Sequence, residues 1–121
     1  MKFHLQTGNA NLVTGLGEGW IKVGGVEHRA NCVLTPEAVH EGFAPRGFDA
    51  LTEDDFRALL AHSPEIVLLG TGATHRFPHP RLSASLAAAH VGLEVMDTRA
   101  ACRTFNILVA EGRRVVAALI L

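Results

Sequence analysis

Two short segments carry the groups with which this chain could do chemistry. Gly70, Thr71 and Gly72 follow an apolar run, and glycines at such a position let backbone amides approach an anionic group. Arg99 and Arg103 lie one helical turn apart after a second apolar run, and paired guanidinium groups can hold a carboxylate or a phosphate bidentately. Because strand ends and helix starts gather backbone donors at one edge of a sheet, we expect both segments to form one candidate site.

The glycine segment does not satisfy the known nucleotide-binding fingerprints. Position 75 is His75 where a third glycine would be needed, and no Gly-Lys-Ser or Gly-Lys-Thr triplet follows. The two arginines also have a simpler explanation, since arginine is common on solvated helix faces. The sequence therefore leaves two interpretations of this region open, a binding site and a packing contact between helix and strand.

Nothing in the chain forms a recognisable catalytic or metal-binding pattern. The serines lack a Gly-x-Ser-x-Gly elbow, and His75 and His79 have no third ligand at diagnostic spacing. Cys32 and Cys102 are explained more simply as small buried hydrophobic residues with reduced thiols. We therefore predict no catalytic residues, no metal and no cofactor, and we favour a non-catalytic protein over an enzyme.

The composition predicts one globular domain and excludes several classes of partner. Of the 121 residues, 48% are hydrophobic, which suffices for a continuous core in a single domain over 1–121. The formal net charge of −1 offers no broad positive field for a nucleic acid. No apolar run approaches the roughly 20 residues that span a bilayer, so we predict no membrane insertion. Reduced thiols and an N-terminus without a signal-peptide pattern favour a cytoplasmic protein.

Apolar patterning predicts an N-terminal β layer followed by alternating helices and strands. The pair Gly24-Gly25 is typical of a two-residue hairpin turn. The segments 66–69 and 115–121 are uniformly apolar, which indicates buried strands of a partly parallel sheet. The segment 26–34 is predicted to be one strand whose core face carries Val26, His28, Ala30, Cys32 and Leu34.

Capping residues predict three helices. Thr52 begins the first with a Thr-x-x-Asp box. Pro80 opens the second and Gly92 ends it, while Asp97 caps a third that reaches about Ala110. The predicted fold class is α/β, a single compact three-layer domain with a central mixed, partly parallel sheet and an N-terminal β-hairpin layer. The residues expected to be buried are Phe56, Leu59, Ile66, Val67, Leu68, Leu86, Val95, Phe105, Leu108, Val116 and Leu119.

The segment 94–120, EVMDTRAACRTFNILVAEGRRVVAALI, carries a resemblance to a known family. Together with EIVLLGTG at 65–72 and VLTPEAV at 33–39, it resembles the small uncharacterised family that includes mitochondrial complex I assembly factor three. The resemblance covers most of the chain and implies a compact three-layer α/β domain without an established catalytic activity. The mitochondrial members act as assembly factors that bind partner proteins during respiratory complex I biogenesis.

The family motif falls on the two segments that could do chemistry. It maps onto Gly70, Gly72, Thr98, Ala100, Ala101, Arg103, Thr104 and Asn106. This chain is expected to differ from the mitochondrial members in lacking a presequence, which favours a stand-alone protein of bacterial type. The combined set of candidate residues for binding a ligand or a partner is Gly70, Thr71, Gly72, Thr98, Arg99, Arg103, Thr104 and Asn106.

Two functions from different classes follow from these residues. The first is a protein-binding or assembly-factor-like module whose docking face combines Arg99, Arg103, Asn106 and the loop 70–79. The alternative is a small-molecule binding protein or enzyme, in which the amides of 70–74, the helix start 97–106 and Arg103 hold an anionic ligand or a nucleotide. A concave pocket would favour the ligand, and a flat apolar patch would favour the partner.

Overall fold

The computed structural model describes residues 11–121, and within them the strands form two sheets. The smaller sheet is antiparallel and contains β1 (Val13–Gly17), β2 (Trp20–Val23) and β3 (Val26–His28) in that order. Gly24 and Gly25 connect β2 to β3, and both have positive φ, as the predicted hairpin turn requires.

The larger sheet has five strands and forms the centre of the molecule. Its strands are β4 (Cys32–Leu34), β5 (Val39–Glu41), β6 (Ile66–Thr71), β7 (Gly92–Met96) and β8 (Val115–Ile120). The spatial order is β5-β4-β8-β6-β7, with β6 parallel to both β7 and β8 while β4 runs antiparallel to β8. The predicted mixed, partly parallel sheet is confirmed, and the wholly apolar strand β8 is its buried central member.

Helices cover both faces of the central sheet. They are α1 (Glu53–Arg57), α2 (Ala84–Ala88) and α3 (Thr98–Ala110), with 3-10 turns at Phe48–Ala50, Ala58–His62 and Pro80–Ser83. The predicted capping box at Thr52 is present, since the Thr52 hydroxyl accepts from the Asp55 amide and the Asp55 carboxylate accepts from the Thr52 amide. Asp97 caps α3 by accepting from the amide of Ala100 at 2.9 Å.

The core has two parts, one on each face of the central sheet. On one face, α3 packs Cys102 and Phe105 against the sheet, and the small sheet adds Ile21. On the other face, Phe56 of α1 and Leu86 of α2 pack together with the 3-10 turns. Three layers result, as the sequence predicts. Of the predicted core, Ile66, Val95 and Leu108 are partly rather than fully buried.

The single strand predicted over 26–34 is wrong. The chain leaves the small sheet after His28 and enters the central sheet at Cys32, so Val26 and Ala30 of the predicted core face are exposed. Asn31 stabilises this crossing, because its side chain donates to the carbonyl oxygen of Ala44 and accepts from the amide of Leu121, both at 2.8 Å.

Gly92 does not end the second helix. The chain turns at His90, which has a left-handed φ of 61°, and Gly92 is the first residue of β7. No helix within residues 11–121 combines the length and the apolar character that crossing a membrane requires.

Candidate functional site

The two predicted segments meet where β6 ends and α3 begins. The buried Thr98 hydroxyl donates to the carbonyl oxygen of Ile120 at 2.5 Å and accepts from the amide of Gly72 at 2.8 Å. The amide of Thr98 donates in return to the carbonyl oxygen of Gly72 at 2.9 Å. These bonds tie the start of α3 to the ends of two neighbouring strands, and we call this arrangement the Thr98 junction.

Both glycines of the predicted loop are required by the conformation of the Thr98 junction. A Cβ atom on Gly70 would lie 2.9 Å from Thr98 Oγ1 and 3.1 Å from Thr98 Cα, which is too close for the helix to remain in place. Gly72 has a φ of +94°, a conformation that L-residues with a side chain rarely adopt. The glycines therefore permit the close approach of α3 to β6.

Thr71 organises the loop that follows β6. Its hydroxyl donates to the carbonyl oxygen of Thr74 at 2.7 Å and accepts from the amide of Arg76 at 3.1 Å. The Arg76 guanidinium in turn lies 4.1 Å from the centroid of the Phe48 ring and pairs with Asp49 at 2.6 Å. The loop is thus held against the 3-10 turn Phe48–Ala50.

Asn106 and Thr104 make structural contacts inside the domain. The Asn106 side chain accepts from the amide of Val13 at 2.9 Å and donates to the carbonyl oxygen of Val13 at 2.8 Å, which attaches α3 to β1. Thr104 donates to the sulfur of Met96 at 3.6 Å. The polar groups of Asn106 are therefore already engaged within the chain.

Arg99 and Arg103 are both exposed on α3. Neither forms an ion pair with any residue of the range 11–121. Ile107 follows one turn later and is 52% exposed. The three side chains are spaced i, i+4 and i+8, so they lie along one side of the helix, and we call them the outer row of α3.

A cavity of about 370 Å³ lies beside the Thr98 junction. Its walls come from the β1–β2 hairpin, the loop after β6, the start of α3 and Leu121. From the predicted set, Gly72, Thr98 and Arg99 line it. Gly70, Thr71, Arg103, Thr104 and Asn106 do not. The structure therefore brings only part of the predicted site together.

Sequence reasoning missed the hairpin side of the cavity. Glu18 and Trp20 line it from the β1–β2 turn, and Asp97 faces it from the cap of α3. The Trp20 indole lies directly over Gly17, where an added Cβ would come within 2.5 Å of Nε1. The sequence does contain one pattern that could have indicated this side of the cavity, a single tryptophan next to the glycine-rich stretch 15–19, because glycines without side chains leave room for an indole ring.

The two thiols have the properties of core groups. Burial raises the pKa of Cys32 to about 12 and the pKa of Cys102 to about 11. Both therefore stay protonated near neutral pH, and both lie in the core between α3 and the central sheet. Within residues 11–121, no cluster of three or more His, Cys, Asp and Glu side chains is placed to hold a metal ion.

The fold places the chain in the class of small α/β proteins with a mixed central sheet. A family described as a protein of unknown function (DUF498/DUF598) matches residues 13–120, and the chain belongs to it. The crystal structure of a Bordetella parapertussis protein has a TM-score of 0.85 to this chain with 38% identity, covering 92% of this chain and 95% of that one.

Relatives of known sequence agree with this assignment. An uncharacterised protein of Rhodobacter capsulatus is 36% identical over 108 residues, 89% of this chain and 82% of that protein. NADH dehydrogenase (ubiquinone) 1 alpha subcomplex assembly factor 3 of Mus musculus is 38% identical over 91 residues, 74% of this chain. The match spans 49% of the mouse protein's length. The resemblance to the family of the mitochondrial assembly factor is thus confirmed.

Proposed function

We propose that the protein is a non-catalytic, assembly-factor-like module that binds a partner protein through the outer row of α3. The observation that carries the proposal is the composition of this row, two arginines without ion pairs within residues 11–121 beside the exposed Ile107. Arginine is enriched at protein interfaces and among the residues that contribute most to binding, and Ile107 adds apolar surface beside the two arginines.

The inner side of α3 supports such a surface. Cys102 and Phe105 are buried against the central sheet, and Asn106 bonds the helix to the backbone of Val13. The helix therefore needs little ordering when a partner binds, which lowers the entropic cost of association.

The charge of the outer row indicates the chemistry of the partner. Arg99 and Arg103 suit bidentate pairing with carboxylates, so the partner surface is expected to carry acidic side chains around an apolar contact for Ile107. The mouse relative named as an assembly factor supports a role in protein binding. Because the match covers about half of that relative, the proposal extends to partner binding and to no particular complex.

The anionic-ligand alternative has weaker support at these residues. The amide of Gly72 already donates a hydrogen bond to the Thr98 hydroxyl, and the amide of Ala100 already donates one to the Asp97 carboxylate. Neither amide is therefore available to an anion. Arg103 does not line the cavity. The cavity is concave, and by the criterion of shape it favours a ligand, but fewer donors face an anion or a nucleotide there than the sequence predicts. Partner binding is proposed for the outer row because Arg103 and Ile107 lie outside that cavity.

A cytoplasmic location is part of the same proposal. It is supported by the two cysteines, which are unpaired and buried in a core that needs no disulfide. Fractionation of the source cells tests it. We expect the protein in the cytoplasmic fraction, and recovery in an extracytoplasmic fraction would contradict this location.

Charge reversal on the outer row tests the binding function. Tagged wild-type protein, Arg103→Glu and the matched control Arg81→Glu are used to capture partners from the source cells. Arg81 is also an exposed arginine, but it belongs to the turn Pro80–Ser83 on the opposite face of the sheet. We expect one partner that wild type and Arg81→Glu retain and that Arg103→Glu binds roughly tenfold more weakly or worse, with an affinity that falls as salt rises.

A purified partner makes this result decisive. If it binds wild type, Arg103→Glu and Ile107→Glu with the same affinity, the outer row is not the docking face. If the wild-type protein retains no partner that Arg81→Glu also retains, the binding function itself is contradicted.

A further inference from the structure

The cavity beside the Thr98 junction differs in chemistry from the outer row of α3. It has a volume of about 370 Å³, which lies at the lower end of the range of roughly 300–1,000 Å³ for small-molecule sites. Of the outer row only Arg99 lines it, while Arg103 and Ile107 lie outside, so its occupant need not be the proposed protein partner. It is shaped by segments far apart in the chain, the β1–β2 hairpin and the start of α3.

Three kinds of group line this cavity. Leu16, Trp20 and Leu121 provide an apolar wall that includes an indole ring. Glu18, an exposed residue of the hairpin turn, and Asp97 are the acidic residues of the lining. Arg99 provides a guanidinium group.

Among residues 11–121, most of these charged groups have no partner. Neither Glu18 nor Arg99 forms an ion pair with a residue of the range 11–121. Asp97 uses its Oδ1 atom to cap α3, and its second carboxylate oxygen has no hydrogen bond to a residue of 11–121. Both signs of charge are thus present around one apolar wall.

The combination restricts the class of ligand. A phosphate or another simple anion would face two carboxylates, and a simple cation would face Arg99. A purely apolar ligand would desolvate all three charged groups without compensation. A small molecule with an ammonium group, a carboxylate and an apolar group can pair with the acidic residues, with Arg99 and with the apolar wall in turn.

We propose that this cavity binds a zwitterionic α-amino acid with an apolar side chain. Arg99 pairs with its carboxylate, Glu18 and Asp97 hold its ammonium group, and its side chain packs against Trp20 and Leu16. Arg99 belongs to both this cavity and the outer row, but Arg103 and Ile107 do not line the cavity, so substitutions at those two positions test partner binding separately.

Trp20 makes the binding directly measurable, since it is the only tryptophan of the chain. Its fluorescence is followed while the purified protein is titrated with L-phenylalanine and with L-leucine. Two analogues of phenylalanine each lack one charge: 3-phenylpropanoate has no ammonium group, and 2-phenylethylamine has no carboxylate. We expect saturable binding of the amino acids, and binding of each analogue weaker by about tenfold or more.

Variants that remove one charge each test which residue binds which charged group of the ligand. Arg99→Gln is expected to weaken the binding of L-phenylalanine about tenfold and to leave the affinity for 2-phenylethylamine unchanged. Glu18→Gln is expected to weaken the binding of L-phenylalanine and to leave the affinity for 3-phenylpropanoate unchanged. Arg103→Gln, on the same helix but outside the cavity, is the matched control and should bind like wild type.

Two results would overturn the proposal. One is the absence of a saturable change in Trp20 emission, and of shifts at the Gly72 and Ala73 amides, with both amino acids at about 10 mM. The other is an analogue with a single charge that binds as tightly as L-phenylalanine, which would make this a simple anion or cation site. Neither result bears on Arg103 or Ile107, through which Arg103→Glu and Ile107→Glu test partner binding.

Discussion

The Thr98 junction and the neighbouring cavity share residues but differ in how their polar groups are used. At the junction, the hydroxyl and amide of Thr98 and both backbone groups of Gly72 are bonded to each other or to Ile120. In the cavity, Glu18 and Arg99 have no ion-pair partner among residues 11–121. Satisfied polar groups stabilise a fold, whereas unsatisfied ones on a concave surface are available for recognition.

The difference shows why a motif and a site need not coincide. Gly70, Thr98 and Asn106 are three of the residues onto which the resemblance maps the family motif, and each is explained by a close approach or by internal hydrogen bonds. Glu18 and Trp20 lie outside the motif and line the cavity. These three residues therefore hold α3 in place, and the start of α3 forms part of the cavity wall.

Removing the Phe105 ring from the core should have the largest effect. Phe105 is fully buried between α3 and the central sheet. We expect Phe105→Ala to lower the free energy of unfolding by roughly 3–5 kcal/mol in urea denaturation. Ile107→Ala, two positions away on the exposed side, should change it by less than about 0.5 kcal/mol, and equal losses in the two variants would contradict this packing.

A methyl group at the junction should be less damaging but clearly measurable. In Gly70→Ala the new Cβ would lie 2.9–3.1 Å from atoms of Thr98 and from the Leu119 side chain. We expect a loss of about 1–3 kcal/mol in thermal or urea unfolding. Gly15→Ala is the matched control in the hairpin, since its Cβ would have no neighbour closer than 3.8 Å. A tolerated Gly70→Ala would show that the helix can move away from β6.

Removal of the Thr98 hydroxyl tests the hydrogen bonds separately from the packing. Thr98→Val keeps the shape but leaves the amide of Gly72 and the carbonyl oxygen of Ile120 without this partner. We expect a loss of about 1–3 kcal/mol in urea unfolding, together with faster hydrogen exchange at the Gly72 amide. Thr98→Ser retains the hydroxyl and should recover most of that loss. Equal stability of the Val and Ser variants would show that the hydrogen bonds of the Thr98 hydroxyl do not stabilise the fold.

Acidification should give the smallest effect, at the ion-paired end of β8. The hydrogen bonds from Arg114 to both carboxylate oxygens of Glu37, each 2.6 Å, hold the Glu37 pKa below its ordinary value of 4.5. The stabilisation is present above that value and is lost as the pH falls through the lowered pKa. Since Glu37 is largely exposed, it amounts to less than about 1 kcal/mol.

Urea unfolding at neutral and acidic pH checks this expectation. Wild type should lose slightly more stability on acidification than Glu37→Gln. Glu94→Gln, which removes a carboxylate with no ion pair among residues 11–121, should retain the wild-type pH dependence. A Glu37→Gln variant with the wild-type profile would show that this pair contributes nothing to stability.

Part of the site could be predicted because its signals are local. Gly72, Thr98 and Arg99 were predicted from a glycine loop and a helix start that each follow a strand, and all three line the cavity. Glu18 and Trp20 could not be assigned in this way. They reach the cavity through the packing of the small sheet, and no periodicity relates position 18 to position 97.

The sequence by itself determined the layers of this protein, the helix starts and the central strand. Capping at Thr52 and Asp97 and the apolar run of β8 are short-range features, so the helix starts and the central strand follow from them. Only the tertiary structure decided that the segment 26–34 divides between two sheets and that Asn106 bonds to Val13, 93 positions away. The physical reason is that such bonds depend on how whole layers pack, and local patterns carry no information about which distant backbone groups remain to be satisfied.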